Sequence, residues 1–223
     1  GKPPKKEISK APPRKKGPVP GVFVAIFIAF IIAAFIRIFL IQIFTIPSDS
    51  MEPSLNAGDR VIVNKLTYGI ANPFWGISET KKLLFIFDNP FYGRNLPISK
   101  VRFVTRLKRD PARMDIIAFK YPAKPGKEQR DMIKRIIGLP GEQVKMRKGQ
   151  VYINGKLLKE SSRTIKDESN YGPVKIPYGS YFVLGDSRAK SSDSRMWGPL
   201  PGNNIIGIVF SKVWPIGKSR SVR

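Results

Sequence analysis

Residues 131–142 read DMIKRIIGLPGE, an apolar run that Lys134 and Arg135 interrupt. Short apolar runs of this kind are typical of buried strands, so the stretch predicts a β-strand from Met132 to Ile137. Successive side chains of a strand point to opposite faces, which places Met132, Lys134 and Ile136 on one face. The stretch therefore predicts a lysine held among apolar side chains.

Further strands are predicted on both sides of this stretch. They cover residues 60–64, 115–120, 143–146, 151–153 and 181–184. Gly149-Gln150 and Asn154-Gly155 predict turns on either side of residues 151–153. After residue 60 no stretch keeps a strong helical period over three turns. The sequence therefore predicts a mostly β domain.

An uncharged segment of 20 residues, from position 17 to position 36, precedes this domain. A helix of that length spans about 30 Å, close to the hydrocarbon core of a bilayer. We therefore predict a transmembrane helix at residues 17–37, with Arg37 at the far interface. The alternatives, a cleaved signal peptide or a buried soluble helix, fit less well, since the apolar run is long and not amphipathic.

The residues before the segment predict its orientation. Positions 1–20 hold seven Lys/Arg and one Glu among several prolines, so residues 1–16 are expected to form a disordered basic tail. Between Arg37 and Arg60 there is no Lys or Arg. The positive-inside rule then predicts a cytoplasmic tail and an extracytoplasmic domain over residues 38–223. Because the chain begins with Gly1 rather than Met, we expect that a part upstream is missing.

Residues 69–112 have two interpretations. The segment holds the aromatic pairs Phe74-Trp75 and Phe91-Tyr92 and the apolar run at 83–87. It is either a long apolar hairpin that packs on the domain or a loop insertion that dips into the bilayer.

The composition excludes several chemistries. The chain has 223 residues with no Cys and no His, so it has no Ser-His-Asp triad, no thiol nucleophile and no zinc site of the usual type. We predict no metal and no cofactor. Forty Lys/Arg against 16 Asp/Glu give a net charge of +24, which favours anionic partners. Because these charges are spread along the chain, we expect membrane lipid rather than nucleic acid as the partner.

The stretch from Pro47 to Pro53 contains a candidate nucleophile, Ser50. Two prolines bracket a short turn, and the hydroxyl of Ser48 is placed to face the same oxyanion as the Ser50 N–H. Without histidine the base must be another group. Burial among apolar side chains would lower the pKa of Lys134 from about 10.4 to roughly 7–8, which suits a general base. A structural turn and a surface lysine are the alternatives.

A polar cluster at residues 185–195 follows the strand predicted at 181–184. A hydroxyl in this cluster can hydrogen-bond a lysine amine and direct it. Asp193 and Arg195 are alternate residues, a spacing that allows an ion pair within the loop. The alternative is a polar surface turn.

With these three motifs in order, the chain resembles the bacterial type I signal peptidases, or leader peptidases, which are Ser/Lys proteases. The matching residues are Ser50-Met51-Glu52-Pro53 with the lead-in at 44–47, the stretch 134–142, and the cluster 185–195. The resemblance implies a transmembrane helix in the plasma membrane followed by an extracytoplasmic, antiparallel β-sheet catalytic domain.

The resemblance also implies roles for individual residues. Ser50 would be the nucleophile, Lys134 the general base, and Ser48 would complete the oxyanion hole. Ser191 would orient the lysine amine, with Asp193 and Arg195 supporting its loop. Shallow pockets for small residues of the Ala-x-Ala type would be bordered by Phe44, Ile46, Met51, Leu55, Asp131 and Ile133.

Some positions depart from the family pattern. Ser187, Ala189 and Lys190 stand where the family usually has Asn, Asp and Asn, and Met114 stands where it usually has Gly. These departures concern the surroundings of Ser191 and a turn before a strand.

The leading hypothesis is a membrane-bound serine endopeptidase that removes N-terminal signal peptides from exported preproteins. One alternative is a specialised Ser/Lys peptidase for a pilus or conjugation substrate. The other is a non-enzymatic, membrane-anchored basic domain that binds anionic lipid, which the net charge of +24 favours.

Overall fold

The computed structural model describes residues 20–36, 40–68, 82–83, 87–88, 90, 109–122, 130–160, 164–215 and 220–221. Helix α1 spans Pro20–Phe35, contains only apolar residues and belongs to a unit of its own, Gly1–Phe35. None of the helices in the described ranges has the length and apolar character that a membrane span requires. The membrane span at residues 17–37 stays a prediction, and the tail at residues 1–16 lies outside the described residues.

The second unit, Ile36–Arg223, is built from strands. In the described ranges they are β1 (Ile41–Thr45), β2 (Arg60–Asn64), β3 (Lys82–Leu83), β4 (Phe87–Asp88), β5 (Ile116–Lys120), β6 (Asp131–Gly138), β7 (Gln143–Arg147), β8 (Gln150–Ile153), β9 (Lys156–Leu157), β10 (Tyr171–Lys175), β11 (Ser180–Leu184), β12 (Leu200–Pro201), β13 (Ile205–Trp214) and β14 (Arg220–Ser221). A four-residue helix, α2, spans Ser194–Trp197.

The strands form two larger sheets and one short pair. The main sheet has the order β1-β2-β13-β5-β6-β11-β12, with β14 beside β13, and the second sheet has the order β10-β7-β8-β9. All strand pairs in the described residues are antiparallel. The prediction of a mostly β, antiparallel fold is confirmed.

The six strands predicted from the sequence correspond to β2, β5, β6, β7, β8 and β11, although Asp115 precedes β5. Among the strands that the sequence did not predict are β1 and β13. Strand β1 continues an apolar stretch without a turn signal. In β13 the apolar pattern is broken by Gly207, where a Cβ would lie 2.3 Å from the backbone oxygen of Asn64 in β2. This glycine is therefore required for the close approach of the two strands.

Little of the segment 69–112 belongs to the described residues. Strands β3 and β4 form an antiparallel pair within it, in which Lys82 is opposite Asp88 and Leu83 is opposite Phe87. The two interpretations of the segment, an apolar hairpin packed on the domain or a loop at the bilayer, both remain predictions.

The order of the main sheet determines where the site lies. Strand β13 lies between β2, which follows the Ser50 loop, and β5, whose Ile117 is opposite Lys134 on β6. One apolar cluster joins the loop to these strands and contains Ile46, Met51, Leu55, Val61, Val63, Ile116, Ala118, Ile133 and Val209. The core therefore fixes the Ser50 loop and the Lys134 strand relative to each other.

A buried ion pair adds to this connection. Lys212 Nζ of β13 lies 2.7 Å from Asp59 Oδ2, and both side chains are buried. The backbone carbonyl of Asp59 accepts a hydrogen bond from the Ile46 N–H at 2.8 Å. The end of the Ser50 loop is thus bonded to its beginning and to the central strand.

Candidate active site

Ser50 lies in a short 3-10 helix, Asp49–Met51, that follows β1. The turn is closed by hydrogen bonds from the Glu52 N–H to the Asp49 carbonyl at 3.0 Å and from the Leu55 N–H to the Met51 carbonyl at 2.9 Å. Met51 is buried in the core, while Ser50 is 6% exposed. The buried methionine holds the turn, so the serine hydroxyl has a defined direction.

The Lys134 side chain reaches this hydroxyl from β6. Its Nζ lies 2.6 Å from Ser50 Oγ and also donates to the Ile133 carbonyl at 3.1 Å. Lys134 is only 2% exposed. The structure thus brings together the two residues that the sequence nominated as nucleophile and base, although 84 positions separate them.

Burial changes the acidity of this amine. It lowers the pKa of Lys134 from 10.5 to about 8, since the charged ammonium loses hydration. The carboxylates of Asp193 and Asp186 act in the opposite direction, because they favour the ammonium form. A substantial fraction of the amine is therefore neutral near physiological pH and can accept a proton.

Ser48 lies next to the nucleophile. Its Oγ is 3.2 Å from Ser50 Oγ, and its backbone is extended, with φ −150° and ψ 161°. Ser48 is exposed, unlike Ser50. A hydroxyl at this position is available to a substrate carbonyl, and its role in the oxyanion hole stays a prediction.

Asp193 and Arg195 form the ion pair that the sequence suggested. Arg195 Nε lies 2.9 Å from Asp193 Oδ1, and Asp193 also accepts hydrogen bonds from the N–H groups of Arg195 and Gly185, each at 3.2 Å. Arg195 makes a second ion pair, with Asp167 at 2.8 Å. These bonds stabilise the conformation of the cluster 185–195.

Ser191 lies in the same cluster, but its hydroxyl makes no hydrogen bond to Lys134. The Oγ is buried and has no hydrogen-bond partner among the described residues. It packs against Gly185, where a Cβ would lie 2.3 Å from this oxygen. The predicted role of Ser191 in orienting the lysine stays a prediction. Gly185 lies between the Ser191 hydroxyl and the Ser50 carbonyl, so the hydroxyl is close to the nucleophile loop.

The three departures from the family pattern near Ser191 occupy different surroundings. The Ser187 N–H donates to the Ser50 carbonyl at 3.1 Å. Ala189 is exposed. Lys190 Nζ lies 3.2 Å from Glu52 Oε2, with both side chains partly in solvent. The substituted residues therefore still contact the nucleophile loop, one through its backbone and one through a surface ion pair.

Beside Ser50 and Lys134 lies a cleft of about 430 Å³. Of the predicted substrate-binding residues, five line it: Phe44, Ile46, Met51, Asp131 and Ile133. Leu55 does not line the cleft, because it is fully buried in the core. Six other residues also line the cleft and were not predicted from the sequence to bind substrate: Thr45, Pro47, Tyr121, Arg130, Met132 and Ser192.

The sequence also did not predict the buried ion pair between Arg135, the residue after Lys134, and Asp186. Arg135 donates from Nε and Nη2 to both carboxylate oxygens of Asp186, at 2.7 and 2.6 Å. Its Nη1 donates to the Met114 carbonyl at 2.9 Å, and Met114 has a φ of 72°, a conformation that favours glycine. The available signal was their position in the motifs: Arg135 follows Lys134, and Asp186 lies in the cluster 185–195.

The described residues contain no group of three His, Cys, Asp or Glu side chains that could hold a metal ion. The candidate reacting groups are the Ser50 hydroxyl and the Lys134 amine. A hydroxyl bonded to a buried amine beside an apolar cleft is the arrangement of a serine peptidase with a lysine base.

Comparison with known proteins agrees with this class. The model of the family "Signal peptidase, peptidase S26" matches residues 20–214. The probable signal peptidase I-2 of Synechocystis sp. is 36% identical over 190 residues, 84% of this chain and 70% of that protein. The signal peptidase I of Leptolyngbya laminosa is 33% identical over 211 residues, 92% of this chain and 85% of that protein. A crystal structure of a signal peptidase I from Enterococcus faecalis V583 is 34% identical, with a TM-score of 0.39, and covers 45% of this chain and 97% of that one.

The chain therefore belongs to the signal peptidase family, peptidase S26. It is a serine endopeptidase that removes signal peptides, which confirms the enzymatic part of the leading hypothesis. That the enzyme is membrane-bound stays a prediction. Of the hypotheses drawn from the sequence, the non-enzymatic basic domain is set aside.

Proposed function

We propose that this chain removes signal peptides from exported preproteins with Ser50 as nucleophile and Lys134 as general base. The observation that carries the proposal is the distance of 2.6 Å between Lys134 Nζ and Ser50 Oγ in a buried setting. A general base must lie within hydrogen-bond reach of the proton that it removes.

In the first half of the proposed reaction, the neutral amine of Lys134 accepts the Ser50 proton as Oγ attacks the scissile carbonyl. The Ser50 N–H and the Ser48 hydroxyl stabilise the oxyanion. When the peptide C–N bond breaks, the Lys134 ammonium gives its proton to the leaving amine. The products of this half are a free amino terminus and an ester on Ser50.

In the second half, Lys134 takes a proton from water, whose oxygen attacks the ester. Collapse of the tetrahedral intermediate returns the proton to Ser50 Oγ and releases the signal peptide. The hydrogen bond from Lys134 to the Ile133 carbonyl, at 3.1 Å, supports this role because it fixes the direction of the amine lone pair.

Two strand edges beside the cleft have no paired neighbour among the described residues, which supports binding of an extended substrate. Within that part of the chain, β1 is the last strand of the main sheet on its side. On β6, the described pairings of residues 131–134 are with β5, and those with β11 begin at residue 135. A substrate placed between these edges can add backbone hydrogen bonds like an extra strand. The apolar side chains of Phe44, Ile46 and Ile133 would leave room for small residues of the Ala-x-Ala type.

We further propose a single-pass topology in the bacterial plasma membrane. Residues 17–37 would cross the bilayer, the tail 1–16 would lie in the cytoplasm, and residues 38–223 would lie outside. The uncharged stretch of 20 residues and the seven basic residues before it support this arrangement. Membrane lipid would then be a partner of the chain, and the enzyme would meet its substrate at the outer surface.

Cleavage of a purified preprotein with an Ala-x-Ala site tests the catalytic proposal. The wild type is expected to cut after the second alanine, and Ser50→Ala and Lys134→Met are expected to be inert while folded. Lys145→Met, at an exposed lysine of β7, is the matched control and should cut like the wild type. Cleavage by the Ser50→Ala variant would refute the proposal.

Cysteine labelling tests the topology, since the chain has no native cysteine. A membrane-impermeant maleimide added to intact spheroplasts should label Tyr178→Cys, at a residue that is 88% exposed, and should not label Ser9→Cys. Labelling at both positions or only at the second would contradict the proposed orientation.

A further inference from the structure

The loop 185–191 contacts the nucleophile directly. The Ser187 N–H donates to the Ser50 carbonyl at 3.1 Å. At Gly185 a Cβ would lie 2.5 Å from the same carbonyl oxygen and 2.3 Å from Ser191 Oγ. A displacement of this loop therefore changes its contacts with the Ser50 carbonyl.

A second segment, which contains Ile165, is hydrogen-bonded to this loop. The Ile165 N–H donates to the Asp186 carbonyl at 2.8 Å, and the Arg188 N–H donates to the Ile165 carbonyl at 3.0 Å. The segment lies between β9 and β10, outside the three motifs of the sequence analysis. The backbone of the second sheet is thus connected to the loop beside the nucleophile.

Arg188 forms the centre of the loop and points inward. It is 2% exposed, its Nε donates to the Gly185 carbonyl at 3.0 Å, and its Nη2 donates to Glu160 Oε1. Its backbone carbonyl accepts from Arg195 Nη2 at 2.5 Å. The guanidinium therefore connects the residue that touches Ser50 to a carboxylate outside the loop.

Glu160 is the partner of this guanidinium. Its side chain is 2% exposed, and Lys166 Nζ lies 3.9 Å from its other oxygen, Oε2. A buried carboxylate needs a cation, and a buried guanidinium needs an anion, because an unpaired charge in the interior is strongly destabilising. Glu160 and Arg188 therefore fix each other's position.

We propose that Glu160 is a positioning residue for catalysis, holding Arg188 and through it Gly185 in the place that sets Ser50 against Lys134. This inference rests on the proposed roles of Ser50 and Lys134. It assigns a part in the reaction to the segment between β9 and β10. A purely structural brace would affect stability but leave the turnover of the folded enzyme unchanged.

Turnover of Glu160→Gln on the Ala-x-Ala preprotein tests the proposal. We expect kcat to fall by about 10- to 100-fold, because misplacement of reacting groups on the order of 1 Å has effects of this size. KM should stay within about twofold, since none of the cleft-lining residues is changed. Glu168→Gln, an exposed residue of the same segment, is the matched control and should behave like the wild type.

A paired variant removes the ambiguity that unfolding would introduce. In Glu160→Leu with Arg188→Met, neither charge is left buried alone, so the protein should stay folded by circular dichroism. The Gly185 carbonyl loses its donor, Arg188 Nε, so kcat should fall at least as far as in the single variant. Wild-type turnover of the folded paired variant would show that the ion pair is only structural and would overturn the proposal.

Competitive acetylation with acetic anhydride, read by mass spectrometry, gives a result that does not depend on turnover. The reactivity of Lys134 should titrate near pH 8 in the wild type, and this midpoint should rise in the Glu160 variants as the loop moves and the amine gains water. Asp193 and Asp186, the carboxylates that face Lys134, are unchanged in them. An unchanged midpoint would overturn the positioning role, whereas an inert wild type would overturn only the proposed function.

Discussion

Replacing the buried lysine by an apolar residue of similar length should stabilise the protein while removing its activity. Lys134 is 2% exposed, and burial lowers its pKa from 10.5 to about 8. Protonation of Lys134 at pH 7 therefore costs more free energy in the folded state than in the unfolded chain. In Lys134→Met this cost disappears, because methionine carries no charge.

The pKa values give the size of the effect. Since one pKa unit corresponds to about 1.36 kcal/mol, the drop from 10.5 to about 8 means that the ammonium form costs about 3 kcal/mol of stability at pH 7. The substitution also leaves the Ile133 carbonyl without its donor, which costs about 1–3 kcal/mol. We expect a net gain of up to about 2 kcal/mol, or a rise in Tm of up to a few degrees for a domain of this size.

The pH dependence supplies the sharper test. Between about pH 8 and 10.5 the unfolded chain holds a proton on Lys134 that the folded chain has lost, so the wild type becomes more stable as the pH rises. The advantage of Lys134→Met should therefore be greatest below pH 8 and should vanish or reverse near pH 10.5.

Urea unfolding of the wild type and the variant at several pH values measures this difference. Lys145→Met, at an exposed strand position, is the control and should show no comparable dependence. If the variant is less stable than the wild type at pH 7, or if the difference does not change with pH, burial does not lower the pKa of Lys134 as proposed.

Three further predictions concern the same site. The kcat/KM of the wild type should rise about tenfold from pH 7 to pH 9, because the neutral form of an amine with a pKa of about 8 increases in that proportion; a flat profile would argue against Lys134 as the base. Gly185→Ala should lower kcat by at least about tenfold, since its Cβ would lie 2.3 Å from Ser191 Oγ and must displace the loop. Steady-state kinetics with wild-type values would contradict this packing. Arg135→Met should reduce the free energy of unfolding by about 3–5 kcal/mol because Asp186 is left buried without a cation, and a loss below about 1 kcal/mol by urea unfolding would be inconsistent with a buried pair.

The sequence predicted those parts of the fold that local pattern determines. Strand β6 and its buried lysine follow from an apolar run that two adjacent charges interrupt, and the turn of Ser50 follows from two bracketing prolines. Strand β13 was missed because Gly207 and Lys212 break its apolar pattern. Both residues are explained only by neighbours in space: a close backbone in β2 and the buried carboxylate of Asp59.

In the site, the sequence nominated the residues but not all of their contacts. Ser50 and Lys134 were selected by chemistry, and the structure adds the distance between them. The hydroxyl of Ser191 was expected to direct the amine, yet it makes no hydrogen bond among the described residues. Glu160 gave no local signal, because its importance depends on Arg188, which is 28 positions away. Such pairings depend on tertiary structure, which periodicity does not report.

The position of β13 has a consequence for the synthesis of the enzyme. In the main sheet, β2 follows the Ser50 loop and β6 carries Lys134, and these two strands lie on opposite sides of β13, which comes later in the chain than either residue. When Ser50 and Lys134 have been synthesised, the growing chain still lacks β13, the strand that joins β2 to β5. The nascent enzyme should therefore be unable to cleave any peptide until residues 205–214 have left the ribosome and paired. The late synthesis of β13 thus delays the activity of the enzyme.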